Sequence, residues 1–176
     1  VSSTDPEARI MKMSDGGYRP AVNAVLATDA ESKVIVAASL VNAPDMGQLA
    51  PIVEQIKERH GRAPTEVLAD GGFAKKDDIE RLSGPAFNTT VYAPVQAPKS
   101  DKRDTHEPHE RDTPALAQWR ERMAGDQAQE IYKERAATAE LVNAQARNRG
   151  LTKFLVRGLR KTSAVVLWYV LAHNMM

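Results

Sequence analysis

Five consecutive apolar residues, Val34-Ile35-Val36-Ala37-Ala38, constrain this chain more than any other segment. A run with no polar position cannot offer alternate faces to core and water. It reads as a central strand buried on both faces, which requires a sheet covered by helices. A partner strand over residues 19–27 precedes it, joined by the polar loop Thr28-Asp29-Ala30-Glu31-Ser32. Residues 1–17 are polar and contain the turn Asp15-Gly16-Gly17.

Downstream, strand and helix signals alternate. Pro44-Asp45 opens a helix in which Leu49, Ile52, Val53 and Ile56 repeat at helical spacing, with Pro51 in its first turns and His60-Gly61 at its end. A strand is expected over 66–69, a helix over 75–82 and a strand over 89–93. Residues 94–114, with four prolines among charged residues, read as an exposed, mobile linker or insertion. Helix resumes near Pro114. Asp126 is expected to cap a long helix that Gly150 stops, and a last, buried helix covers 161–175. The order predicts an α/β fold. The sheet-bearing half spans 1–93, the linker 94–114 and the completing helices 115–176.

Composition narrows the chemistry. With 176 residues and no Cys, one domain without disulfides or thiolate metal sites is expected. Only four His are present, so any metal would be held by oxygen, which favours Mg²⁺ or Mn²⁺. The net charge of +1 hides an asymmetry: residues 141–176 carry six Lys/Arg and no carboxylate side chain. Such a tail suits phosphate, although cations near helix ends are also ordinary. The N-terminus shows no signal peptide, which points to the cytoplasm. The apolar run 164–172 is too short to span a bilayer, so no membrane partner is expected.

Two acids stand out. Asp70 ends the strand Val67-Leu68-Ala69 and precedes Gly71-Gly72-Phe73, where a sheet edge offers a crevice and the glycines let a phosphate or metal approach. An ordinary Asp-Gly turn is the plainer reading. Glu140 lies mid-helix on one stripe with Lys133 and Arg147, flanked by Ala136, Ala137 and Ala144. A solvated stripe is the plainer reading there. Tyr132 and Arg135, three apart, could contact a phosphate or base, or simply pack and pair locally.

Taken together these residues resemble the C-terminal catalytic part of DDE-type transposases of bacterial insertion sequences. The resemblance covers nearly the whole chain. It rests on Ser3-Thr4-Asp5-Pro6-Glu7-Ala8-Arg9 with Met11, on Tyr18 and the hairpin, and on Asp45-Met46-Gly47-Gln48-Leu49-Ala50-Pro51. Asp70-Gly71-Gly72-Phe73 looks like the family's Asp-Gly-aromatic block. Tyr132, Arg135, Glu140 and Arg147 are similar to its Tyr-Arg-Glu-Lys signature, and Arg157-Gly158 and Leu171-Ala172-His173-Asn174 close the match. Four residues separate Arg135 from Glu140 where the signature usually has three, and Arg147 replaces its Lys.

The resemblance implies a ribonuclease-H-like mixed sheet flanked by helices, and DNA strand cleavage and transfer at divalent ions held by three carboxylates. It assigns Asp70 and Glu140 as metal-holding catalytic acids, with Asp5 the candidate for the first acid. Tyr132, Lys133, Arg135, Arg147, Arg149, Lys153 and Arg157 become DNA contacts. Element-end and target DNA are the implied partners, and a homodimer the implied assembly. The resemblance places the first acid further upstream, in an Asp-Gly-Thr segment absent here, and the chain opens on Val1. A truncated chain lacking the first strand is therefore expected. A catalytically inactive DNA-binding remnant is the second reading. An α/β nuclease or regulatory domain with structural acids is the third.

Overall fold

The computed structural model describes residues 4–13, 15–96 and 104–176. Ser3 of the opening motif and residues 97–103 of the expected linker lie outside them. The fold is mixed α/β, and its described strands form three two-stranded ladders. The chain divides into two compact units, residues 1–45 with 138–176, and residues 46–137.

In the first unit, β1 (Arg9–Lys12) pairs antiparallel with β2 (Tyr18–Ala21). The polar N-terminal reading overlooked this hairpin. Its strands are largely exposed, so no buried face imposes an alternating pattern on the sequence. The expected strand over 19–27 is in fact two, since β3 (Asn23–Thr28) begins afresh after Val22 and pairs antiparallel with β4 (Ile35–Val41). Asp29 shapes their connection by accepting bonds from the Ser32 N–H at 2.7 Å and hydroxyl at 2.6 Å.

β3 is the only ladder partner of β4 among the described strands, and Ala37 and Ala38, on opposite faces of β4, are both buried. Helix α6 (Leu159–Asn174) packs on it. The Asn174 side chain accepts from the Ile35 N–H and donates to the Ile35 carbonyl, both at 2.9 Å. One amide thus satisfies the two backbone groups that a neighbouring strand would otherwise bond. α6 is not the wholly buried helix that its apolar run suggested. Thr162 and Val166 are buried, but Leu167, Trp168 and Leu171 are exposed.

The second unit holds α1 (Leu49–His60), β5 (Glu66–Leu68), α2 (Lys76–Ser83), β6 (Thr90–Tyr92), α3 (Pro114–Ala124) and α4 (Asp126–Arg135). α1 begins later than Pro44-Asp45, because residues 45–47 form a turn with Gly47 at φ 87°. Its Gln48 cap makes no side-chain bond. Buried Asp78 of α2 instead accepts from the Ala50 N–H at 3.2 Å. Gly61, at φ 75°, closes α1 by donating to the Lys57 carbonyl. β5 and β6 pair in parallel, Glu66 opposite Thr90 and Leu68 opposite Tyr92. Ile79 and Leu82 of α2 and Val91 of β6 are fully buried, each worth about 1.5–3 kcal/mol relative to exposure.

Residues 104–113 are exposed for the most part, yet one side chain fastens them. The Asp112 carboxylate is shielded from solvent and accepts from Lys76 Nζ at 2.9 Å, Arg120 Nε at 2.5 Å and the His109 N–H at 3.0 Å. Asp126 is the first residue of α4 rather than its cap, which is Gly125. The single long helix expected after it is broken. Residues Ala136–Glu140 are π-helical, and α5 (Leu141–Asn148) follows.

Candidate active site

Asp70 stands just beyond the C-terminal end of β5, where ligands collect in parallel α/β sheets. The next backbone bond of the ladder holds it in place, with the Ala69 N–H donating to the Tyr92 carbonyl at 2.9 Å. Asp70 is exposed, and its Oδ1 accepts from the Gly71 N–H at 2.6 Å. Gly71–Phe73 then turn as a single 3-10 coil. Gln96, just past β6, donates through Nε2 to the Gly71 carbonyl at 2.5 Å. The glycine block is thus held from both strands. Sequence reasoning missed Gln96, whose partner is 25 residues away.

Glu140 is the last residue of the π-helical segment and is exposed. One extra residue per turn widens a helix locally and re-aims its side chains, a distortion frequent at functional sites. The segment is fastened at Thr138, a buried hydroxyl that accepts from Lys33 Nζ at 3.2 Å. Lys33 itself sits at φ 62°, an uncommon conformation for a side-chain-bearing residue, and its carbonyl meets His173 Nε2 at 2.9 Å. Neither Lys33 nor Thr138 carries a sequence signal for this role. Their separation of 105 residues hides it.

The remaining candidates divide by setting. On α4, the Arg135 guanidinium lies over the Tyr132 ring at 5.4 Å, a cation–π pair between two half-buried side chains. Lys133 pairs with Glu130 at 2.6 Å on the exposed side. Arg147, Arg149, Lys153 and Arg157 are all exposed.

Asp5 occupies a turn before β1, not a strand. Its Oδ2 accepts from the Gly158 N–H at 3.0 Å and its Oδ1 from the Glu7 N–H at 3.2 Å. The Gly158 bond leads the causes that hold the Asp5 carboxyl below its ordinary value, with further help from the Glu7 and Ala8 N–H groups and nearby Arg157. Glu7 accepts from the Leu159 N–H at 2.9 Å. Both acids thereby fasten the start of α6.

No three His, Asp or Glu side chains are grouped closely enough to hold a metal ion among the described residues. The Asp70 and Glu140 carboxylates offer hard oxygens of the kind Mg²⁺ or Mn²⁺ prefers, but the described residues do not assemble a complete ligand set around them. No helix among the described residues is long and apolar enough to cross a membrane.

A family model described as "Transposase DDE domain" matches residues 3–175. The chain belongs to that family. No curated protein and no solved structure matches it. Membership makes this a transposase domain, whose family chemistry is DNA transposition.

Proposed function

We propose that this DDE transposase domain cleaves and rejoins DNA strands during movement of an insertion sequence. The observation that carries the reading is the family match over residues 3–175, which spans both Asp70 and Glu140. Asp70, beyond a parallel strand, and Glu140, in a π-helical turn, are its catalytic acids. Behind this lies a ribonuclease-H-like arrangement of the strands. Mg²⁺ or Mn²⁺ is the cofactor this reading calls for, with Asp70 and Glu140 among its ligands. Tyr132, Lys133, Arg135, Arg147, Arg149, Lys153 and Arg157 meet the phosphate backbone, the cations by charge and the Tyr132–Arg135 pair also by stacking. Element ends and target DNA are the substrates, a homodimer the working assembly and the cytoplasm the place of action.

A second reading has one specific observation in its favour. Both Asp5 oxygens receive backbone N–H groups, so the candidate first acid serves as an anchor. On this reading the chain binds DNA without cutting it.

The deciding experiment is a Mn²⁺ titration by calorimetry on the unaltered chain, Asp70→Ala and Glu140→Ala, alongside nicking of a labelled element-end duplex. Metal binding lost in both variants together with metal-dependent nicking supports the enzyme. Salt-sensitive DNA binding with no nicking under any metal supports the second reading. Unchanged metal and DNA binding in both variants would sink the assignment of the two acids.

A further inference from the structure

We propose that residues 151–158 form a DNA wedge, with Leu155 entering the base stack of a duplex while Lys153 and Arg157 sit on the phosphates to either side. The proposal rests on the DNA-binding reading above and deepens it, because it assigns one apolar side chain the task of deforming the duplex.

Leu155 is 88% exposed, more than any other large apolar side chain among the described residues. A single exposed leucine means little by itself. Its neighbours give it meaning. Lys153, Leu155 and Arg157 are exposed, while Phe154 and Val156 between them are half-buried. Exposure therefore alternates along the segment, in the order cation, apolar side chain, cation. Four residues span at most about 14 Å of chain, and the bends at Lys153, Leu155 and Val156 shorten that reach towards the scale of duplex grooves roughly 6 and 12 Å wide. Two cations at that separation can meet phosphates on either side of the base step that the leucine enters.

The loop is also held at both ends, which a wedge needs if it is to bend DNA rather than fold away. On one side the Leu151 N–H donates to the Ala146 carbonyl at 3.0 Å and the Tyr169 hydroxyl to the Arg149 carbonyl at 2.8 Å. On the other, Asp5 takes the Gly158 N–H and Glu7 the Leu159 N–H. From residue 141 onward no carboxylate side chain opposes a phosphate. This charge setting favours a nucleic acid over a protein or lipid partner. Proteins that kink duplexes commonly place an apolar side chain between base steps beside Lys or Arg.

The test uses the full chain and a short duplex with 2-aminopurine in a central TA step, since pyrimidine–purine steps unstack most readily. Binding by the unaltered chain and by Leu155→Met should raise 2-aminopurine fluorescence several-fold. Leu155→Ser should still bind, yet leave fluorescence at the level of the free duplex. Lys153→Ala and Arg157→Ala should each lower the salt dependence of binding by about one phosphate contact. A fluorescence rise in Leu155→Ser equal to that of the unaltered chain overturns the wedge, as does binding by the unaltered chain with no rise. Both results leave the DNA-binding reading standing. Absence of any duplex binding by the unaltered chain overturns the two together.

Discussion

Replacing Asp112 with Asn removes a charge from the best-shielded polar cluster of the second unit while keeping the side chain's shape. Breaking a buried ion pair from one side typically costs about 3–5 kcal/mol. Two features reduce that figure. Lys76 is half-exposed and returns to water at little cost. Arg120, only 6% exposed at its side chain, keeps the Thr105 carbonyl at 2.6 Å. We therefore expect a loss of about 2–3 kcal/mol near neutral pH. The pH dependence gives the sharper signature. Burial pushes the Asp112 carboxyl up, but the bonds from Lys76, His109 and Arg120 outweigh it and hold it at about 2, against an ordinary 3.8. That gap corresponds to about 2 kcal/mol. Because the folded value lies below the unfolded one, this stability is present above about pH 4 and lost as pH falls towards 2. Urea unfolding followed by fluorescence can read it. Trp119 is buried with its indole N–H on the Ala93 carbonyl, and exposed Trp168 can be silenced as Phe. The deficit of Asp112→Asn relative to the parent should shrink towards zero on acidification. A deficit that stays constant from neutral pH to pH 2 would refute the reasoning.

Other residues give shorter tests. Asn174→Ala leaves the Ile35 N–H and carbonyl without their side-chain partner, for a loss of about 1–3 kcal/mol. Amide exchange should quicken at Ile35 and stay unchanged at Val53, and equal protection in both proteins would count against the clamp. Gly61→Ala meets open space but must adopt φ 75°, so it should cost about 1 kcal/mol and lower the thermal midpoint by a few degrees. Gly158→Ala combines φ 84° with a Cβ only 3.0 Å from Glu7 Oε2, so it should lose more than Gly61→Ala in the same melt.

The elements legible in the sequence were those whose burial is local and periodic. Leu49, Ile52 and Val53 recur at helical spacing and are buried in α1. Val67-Leu68-Ala69 leads to Asp70 along the expected strand. Elements held by distant partners were not legible. β1 has no buried face to impose a pattern. The π-helical turn around Glu140 lies in an alanine-rich stretch that reads as plain α-helix, and its fastening to Lys33 spans 105 residues. Asp5 looks like a free acid until its Gly158 partner, 153 residues on, is seen. Asp112 sits in a segment whose prolines and charges suggest a loose linker, because burial of one carboxylate leaves no compositional trace.

The division of the chain sets an order in which it can be made. Residues 46–137 are continuous, so that unit can collapse as soon as its last helix clears the ribosome. The other unit is assembled from residues 1–45 and 138–176, so its first hairpins must wait. Until Asn174 emerges, the Ile35 N–H and carbonyl lack the side chain that occupies them, and open strand groups of this kind are where nascent chains stick to one another. A stop codon shortly before position 174 would leave every candidate acid in place, yet deliver a protein prone to aggregate.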